Sequence, residues 1–462
     1  MTTLFRANHT FRLNEIKEFL QNQIRQIPNK IAYIGTPRMA LRYEFPLEKI
    51  DPLSWLKAQN ISSQIYWADR DGKFEMAAAG EADCVKASET ALDYQQLFEY
   101  FSGQLSADNP YLRYYGGFCF EPSYLNSDWQ EFGAYRFLIP RFEIFRDKSR
   151  YFFALNILLK DTDEKNINLI LNQLEDIQFT LNYSEGGLPA LKDRRDFPSR
   201  EEWNKIFGNV QVKLDQGLLE KIVLARKSLF QFNESLAPMQ VMEKLKKISS
   251  ECFHFCFQTS PHQAFLGASP ERLFKRTGLH IESEAIAGTK ERGKTPEEDE
   301  QFKKELLGSS KNALEHKCVA DFIKKQLTAL CSELKSGPDL SLLKHRAGYH
   351  LMTRFDGILL EKSYDEEIFK ALHPTPAVGG LPSKKIFEDI KALEPFQRGW
   401  YAGAMGYVGY DCVEFAVAIR SGLIQNNLLS LFAGAGIVPG STAEEEWKEI
   451  ENKIGSFTEV FK

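Results

Sequence analysis

The scarcity of several features in this sequence narrows what it can be. Its 462 residues carry only seven cysteines, at 84, 119, 252, 256, 318, 331 and 412. Cys252 and Cys256 are the closest pair, and no second pair repeats their spacing. An odd, dispersed count suits reduced thiols better than a disulfide frame or a zinc site. No apolar run reaches the roughly 20 residues that span a bilayer. The opening MTTLFRANHT lacks the charged-then-apolar pattern of a secretory leader, so a cytoplasmic protein is expected. Basic blocks and basic-aromatic stripes are missing, and the formal net charge is −5 with both signs interspersed. Neither nucleic acid nor a membrane is therefore an expected partner. No internal repeat is visible.

What is present is ordinary globular composition, 43% hydrophobic and 26% charged. The length suffices for a large core or for two or three domains. Residues 11–27 have apolar spacing near 3.6 and predict an amphipathic helix. Strands are expected at 40–46, 64–67, 135–145 and 151–159, with Asp69-Arg70-Asp71-Gly72 as a hairpin turn. Helices are expected at 93–105 and 166–177. A glycine pair, Gly116-Gly117, interrupts an aromatic strand. No titratable cluster converges in this part, which reads as scaffold. Residues 181–199 are rich in Gly, Pro, Asp and Arg and read as a linker. The division expected is a scaffold subdomain at 1–190 and a catalytic region at 200–462.

The second region holds the chemical candidates. A helix is expected at 200–216, then a strand at 219–227 that Lys221 enters beside apolar neighbours. Burial lowers a lysine pKa and equips it as a base, although lysines at strand ends are ordinarily exposed. Residues 264–271 read as a turn between strands 253–258 and 271–275, bent at Pro270. Glu271 begins the second strand, where apolar surroundings raise a carboxyl pKa toward that of a general acid, although a glutamate at a turn is ordinarily exposed.

Ile281 to Arg292 alternates like a strand and ends in Ala287-Gly288-Thr289. Such a small-residue turn brings backbone N–H groups close to an anion, or is a plain strand-turn. Helices are expected at 295–307, 311–330 and from 445 to about 457. On the last, Glu446, Glu449 and Lys453 share one face. Carboxylates on two helices facing one cleft suit Mg²⁺, which takes hard oxygen ligands; a solvated acidic face is the ordinary alternative. The strand 431–438 carries Gly434 and Gly436, small enough for a flat ligand to lie against the backbone. It is not a dinucleotide fingerprint, since the third glycine and the strand-turn-helix context are missing. Arg420 ends the strand 415–420, and arginine grips carboxylates in bidentate fashion.

Together the motifs EKIVLAR (220–226), FLGASPERL (265–273), EAIAGTKERG (284–293), LEHKCVADF (314–322), HPTPAVGG (373–380), LEPFQRGWYAGAMGY (393–407), VAIR (417–420), LFAGAGIV (431–438) and EEEWKEIENK (444–453) resemble those of the chorismate-utilising enzymes, in the family's order. RDGKFEMAAAGEA and YYGGFCFEPS in the first part are similar more weakly. The resemblance implies an α+β fold of two subdomains whose antiparallel β-sheets pack together, with helices outside. Within the family the chain looks most like the isochorismate synthases of menaquinone synthesis. Lys221 stands where the water-using members carry a lysine base. Ala377 stands where the ammonia-using members and many salicylate synthases have threonine. SEAIAGT is closer to the menaquinone type than to the RPIAGT form of anthranilate synthases, whereas Gly379 departs from the alanine usual there.

The resemblance implies an isomerase that converts chorismate to isochorismate with Mg²⁺. It assigns Lys221 as base and Glu271 as acid, and Glu315 and Glu449 as metal ligands with Glu446 close by. Gly288, Thr289, Ala377, Arg420, Gly434, Gly436 and Lys453 are assigned to the substrate, with His350 and His373 near the pocket. Chorismate is the expected partner, no glutamine amidotransferase subunit is expected, and a monomer is expected. The alternatives are a salicylate synthase, which goes on to eliminate pyruvate, and a non-catalytic chorismate-binding protein.

Overall fold

Aromatic and small apolar residues dominate the strands of this chain, and the amphipathic segments between them form helices. The structure is a computed structural model. It describes residues 3–7, 10–11, 13–27, 40–87, 93–122, 127–158, 163–178, 186–338, 341–345, 348–361 and 364–461. In the helix Leu13–Arg25, Ile16, Leu20 and Ile24 are fully buried, so the 3.6-residue spacing is the face that packs. Among the described residues no helix is long and apolar enough to cross a membrane. All seven cysteines carry free thiols.

Apart from Thr3–Arg6, which runs parallel beside Ala40–Leu47, the strands of the first half pair antiparallel. Gln64–Ala68 pairs with Phe74–Ala87, which pairs with Tyr135–Asp147; that strand pairs with Arg150–Leu158, and Arg150–Leu158 with Ala40–Leu47. Asp69 shapes the first hairpin by accepting hydrogen bonds from the Lys73 and Phe74 amides at 2.8 and 2.9 Å.

Two ladders join this half to the rest. Gln64–Ala68 pairs with Phe253–Ser260, and Arg113–Phe118 with Ala404–Gly409. One apolar core accordingly runs through both halves.

In the second half the strands run in the spatial order Phe253–Ser260, Gln263–Ser269, Ser421–Gln425, Leu428–Ile437, Lys221–Phe232. A further ladder links Cys412–Val417, Arg272–Thr277, His280–Glu291 and Gly348–Leu359. The helices Ser310–Leu330 and Ala443–Thr458 pack on these strands.

Four local expectations need correction. Leu191–Phe197 is not a linker but a strand, paired with Lys221–Phe232; residues 181–185 lie outside the described residues. Its alternate residues pair through backbone groups, which composition does not reveal. Gln263–Ser269 is a full strand, so the bend is confined to Pro270 and Glu271, and Glu271 precedes the next strand. Gly288 does not end its strand. It forms a bulge at φ +76° between Ala287 and Thr289, after which pairing with His350 and Tyr349 resumes. Arg420 lies beyond the Cys412–Val417 strand, in the left-handed region at φ +49°.

Candidate active site

Lys221 begins its strand fully buried, with Val223 next on the same face. Opposite them, in register, Gly436 pairs with Val223 and Gly434 with Ala225. Lys221 Nζ stands 3.1 Å from Glu315 Oε1, off the direction of a hydrogen bond, and among the described residues it has no hydrogen-bond partner. A Cβ on Gly436 would meet that Glu315 oxygen at 2.1 Å and Lys221 Cε at 3.0 Å. Gly436 therefore makes room for the Lys221–Glu315 pair. At Gly434 a Cβ would crowd the Tyr401 hydroxyl at 3.0 Å and Val223 at 3.1 Å.

Glu271 is 3% exposed, and its Oε1 has no hydrogen-bond partner. Burial first, then the like charge of Glu284, pushes its carboxyl up to about 8, against the pull of Lys221, Lys453 and Arg70. The group is thus a protonated acid at neutral pH. Its backbone is held on both sides: Ser269 Oγ accepts from the Glu271 amide at 3.2 Å, and the Glu271 carbonyl accepts from Val417 at 3.0 Å.

A layer behind Glu271 escaped sequence reasoning. Arg70, from the first-half hairpin, donates to the Pro270 carbonyl at 2.6 Å and to both oxygens of Glu284 at 2.5 and 2.9 Å. Glu284 also accepts from the Arg272 amide at 2.8 Å. The scaffold half therefore fixes the bend that carries the acid. The only sequence signal was DRDG, which reads as a turn and says nothing of its reach across the fold.

The bulge at Gly288 sets Thr289 opposite His350. Thr289 Oγ1 and His350 Nδ1 are 2.9 Å apart, and Arg420 Nη2 is 3.0 Å from His350 Nε2. Arginine only donates, so Nε2 accepts and the Nδ1–H donates to Thr289. The left-handed backbone of Arg420 aims its guanidinium into this row. His373 plays no such part. It is half-buried against Phe369 and the Cys119 carbonyl, and desolvation there holds its imidazole down to about 4.

The carboxylates stand on the two helices. Ser309 and Thr442 cap them through the Asn312 and Glu445 amides. Glu446 is 1% exposed and shares a stripe with Ile450, Ile454 and Phe457. Burial, with Glu449 beside it, pushes Glu446 up to about 7 although Lys311 binds it. Lys453 donates to Glu449 at 2.6 Å and to the Gly434 carbonyl at 2.9 Å.

Most of these side chains line one cleft, but Glu446, expected in it, and His373 do not. Its inner part, about 80 Å³ open to water centres, is bounded by Glu271, Gly288, Thr289, Glu315, Ala377 and Arg420, with His350, Tyr401, Gly434, Gly436, Glu449 and Lys453 completing it. It opens into an outer cavity of about 360 Å³ that reaches Lys311 and shares Thr289, His350, Arg420, Glu449 and Lys453. Lys221 borders the cleft through Glu315 rather than lining it. Tyr401 was not foreseen; burial raises its pKa and keeps the phenol a donor.

For Mg²⁺ the donor set is right in kind: the carboxylates of Glu315 and Glu449, on two helices, face one cleft. Among the described residues no three Asp, Glu, His or Cys side chains converge as a ready metal group. Instead each of the three glutamates is drawn to a lysine.

Known proteins resemble this chain over most of its length. The family model described as chorismate binding enzyme matches residues 30–462. The chain is 31% identical to isochorismate synthase MenF of Escherichia coli over 440 residues, 94% of this chain and 96% of that protein. It is 29% identical to MenF of Haemophilus influenzae over 450 residues, 97% of this chain and 96% of that one. The solved structure of MenF, the menaquinone-specific isochorismate synthase of Escherichia coli, superimposes with a TM-score of 0.82 at 26% identity, covering 95% of this chain and all of that one. The family match over residues 30–462, on a fold matched over 95% of the chain, places this chain in the chorismate-binding enzyme family.

Proposed function

We propose that the protein is an isochorismate synthase, converting chorismate reversibly to isochorismate for menaquinone synthesis. The observation that carries this reading is the presence of both Lys221 and Glu271 at one cleft. Both are buried beside one cleft, one a lysine base and the other a carboxylic acid held protonated.

Lys221, as the neutral amine, takes a proton from water as that water attacks C2 of the ring. Glu271 gives its proton to the C4 hydroxyl, which leaves as water while the double bonds shift. The atoms balance, since one hydroxyl is gained at C2 and one lost at C4. Arg420 and Lys453 hold the enolpyruvyl carboxylate, and Thr289 with the backbone near Gly288, Gly434 and Gly436 places the ring. His350 keeps Arg420 and Thr289 in line. Ala377 leaves the wall beside the ring apolar. Glu315 and Glu449, with Glu446 beside them, would hold Mg²⁺. When bound, Mg²⁺ neutralises the ring carboxylate of the substrate.

The protein acts as a monomer in the cytoplasm with no amidotransferase subunit, and residues 1–190 serve as scaffold for the catalytic region at 200–462. Turnover of chorismate in ¹⁸O-labelled water tests the chemistry. One labelled oxygen at C2 of isochorismate is expected; isochorismate without label would overturn the water-attack mechanism.

A further inference from the structure

Each carboxylate of the proposed metal set has its own lysine. Glu315 holds Lys221 at 3.1 Å, Glu449 holds Lys453 at 2.6 Å and Glu446 holds Lys311 at 2.5 Å. Lys221 and Lys453 have roles in the proposed reaction. Lys311 has none: it borders the outer cavity and not the inner cleft.

Lys311 and Glu446 are each poorly placed alone. Ser309 caps the Ser310–Leu330 helix, so Lys311 lies in its first turn, where exposed N–H groups and the helix dipole disfavour a cation. Glu446 occupies the apolar stripe of its helix, where an unpaired carboxylate is strongly unfavourable. Each answers the other. A divalent cation entering beside Glu446 and Glu449 meets this fixed ammonium at close range, in a partly buried site where water and salt screen little.

We infer that Lys311 is a built-in competitor of the divalent cation, holding Glu446 until the metal takes its place and so setting the metal concentration at which the site loads. This rests on the metal reading above.

The test is titration of the purified full chain with Mn²⁺, an oxygen-preferring stand-in for Mg²⁺, following free Mn²⁺ by its paramagnetic resonance signal. Wild type is compared with Lys311→Met and Lys311→Gln. Loss of the competing charge should tighten Mn²⁺ binding by about fivefold. Saturating Mg²⁺ should also raise the melting temperature more in the variants, because Glu446 then lacks any other counter-charge. A Lys311→Met chain that folds only with metal is the same result in its strongest form. If it does not fold at all, Lys311→Gln, which keeps a hydrogen-bonding amide toward Glu446, supplies the measurement. Equal or weaker Mn²⁺ binding in a folded variant would overturn the inference and make Lys311 an anchor for Glu446. A wild type that binds no Mn²⁺ would remove the metal reading itself.

Discussion

Lys221 Nζ lies 3.1 Å from Glu315 Oε1, and the pair closes over the α-carbon of Gly436. The lysine is fully buried while the Glu315 side chain is 13% exposed. The two partners are therefore unequal. Glu315→Ala strands the buried Lys221 without its partner and should destabilise the protein by about 3 kcal/mol in denaturant unfolding. Lys221→Met leaves only a partly solvated carboxylate. It should hold stability near wild type while kcat falls at least about a hundredfold. Near-normal turnover of Lys221→Met would remove its role as base.

Gly436→Ala tests the same pair through its space. The added methyl would sit 2.1 Å from the Glu315 oxygen, so one side chain must move. A stability loss of about 1–3 kcal/mol is expected. Activity should drop with it, read from chorismate turnover at a temperature where circular dichroism shows the variant folded. Full activity there would mean that the pair is not part of the working geometry.

The pH dependence follows from Glu271. Its folded pKa of about 8 stands above the ordinary 4.5. As the acid, it must be protonated, so kcat/KM should fall as pH rises through about 8. The sign for stability runs the same way: protonation favours the fold, the contribution is complete below 4.5, and it is lost as pH rises through about 8. Glu271→Gln cannot titrate. Its melting temperature relative to wild type should therefore climb between pH 6 and 9 while its turnover is abolished. A difference independent of pH would contradict the burial argument.

Arg70 offers a test of the contact between the two halves. Its guanidinium grips Glu284, whose side chain is 2% exposed. Arg70→Met should destabilise by about 3 kcal/mol by leaving that carboxylate unpaired, and Arg70→Met with Glu284→Gln should regain most of it. Unfolding curves of the two variants decide. Equal losses in both would mean that the pair itself contributes little.

Much of this was legible beforehand, unevenly. Where a residue's placement depends on its own segment, that placement was legible. Lys221 entering an apolar strand, Glu271 after a proline bend, and Glu446, Glu449 and Lys453 on one helical face could each be read locally. Their order along the chain carried the family resemblance. What sequence could not supply was reach. Arg70 lies 214 residues from Glu284, and nothing in DRDG says that it crosses to the other half. Backbone detail was hidden too. The Gly288 bulge looks like a turn in sequence, because both use a small residue with positive φ. Leu191–Phe197 looked like a linker because an exposed edge strand has no apolar alternation.

Product analysis of the purified protein with chorismate, with and without Mg²⁺, tests the central claim most directly. Chromatography and mass spectrometry should find isochorismate in equilibrium with chorismate, and only when Mg²⁺ is present. Salicylate with pyruvate would contradict the account in favour of a lyase, and unchanged chorismate with Mg²⁺ present would contradict catalysis altogether.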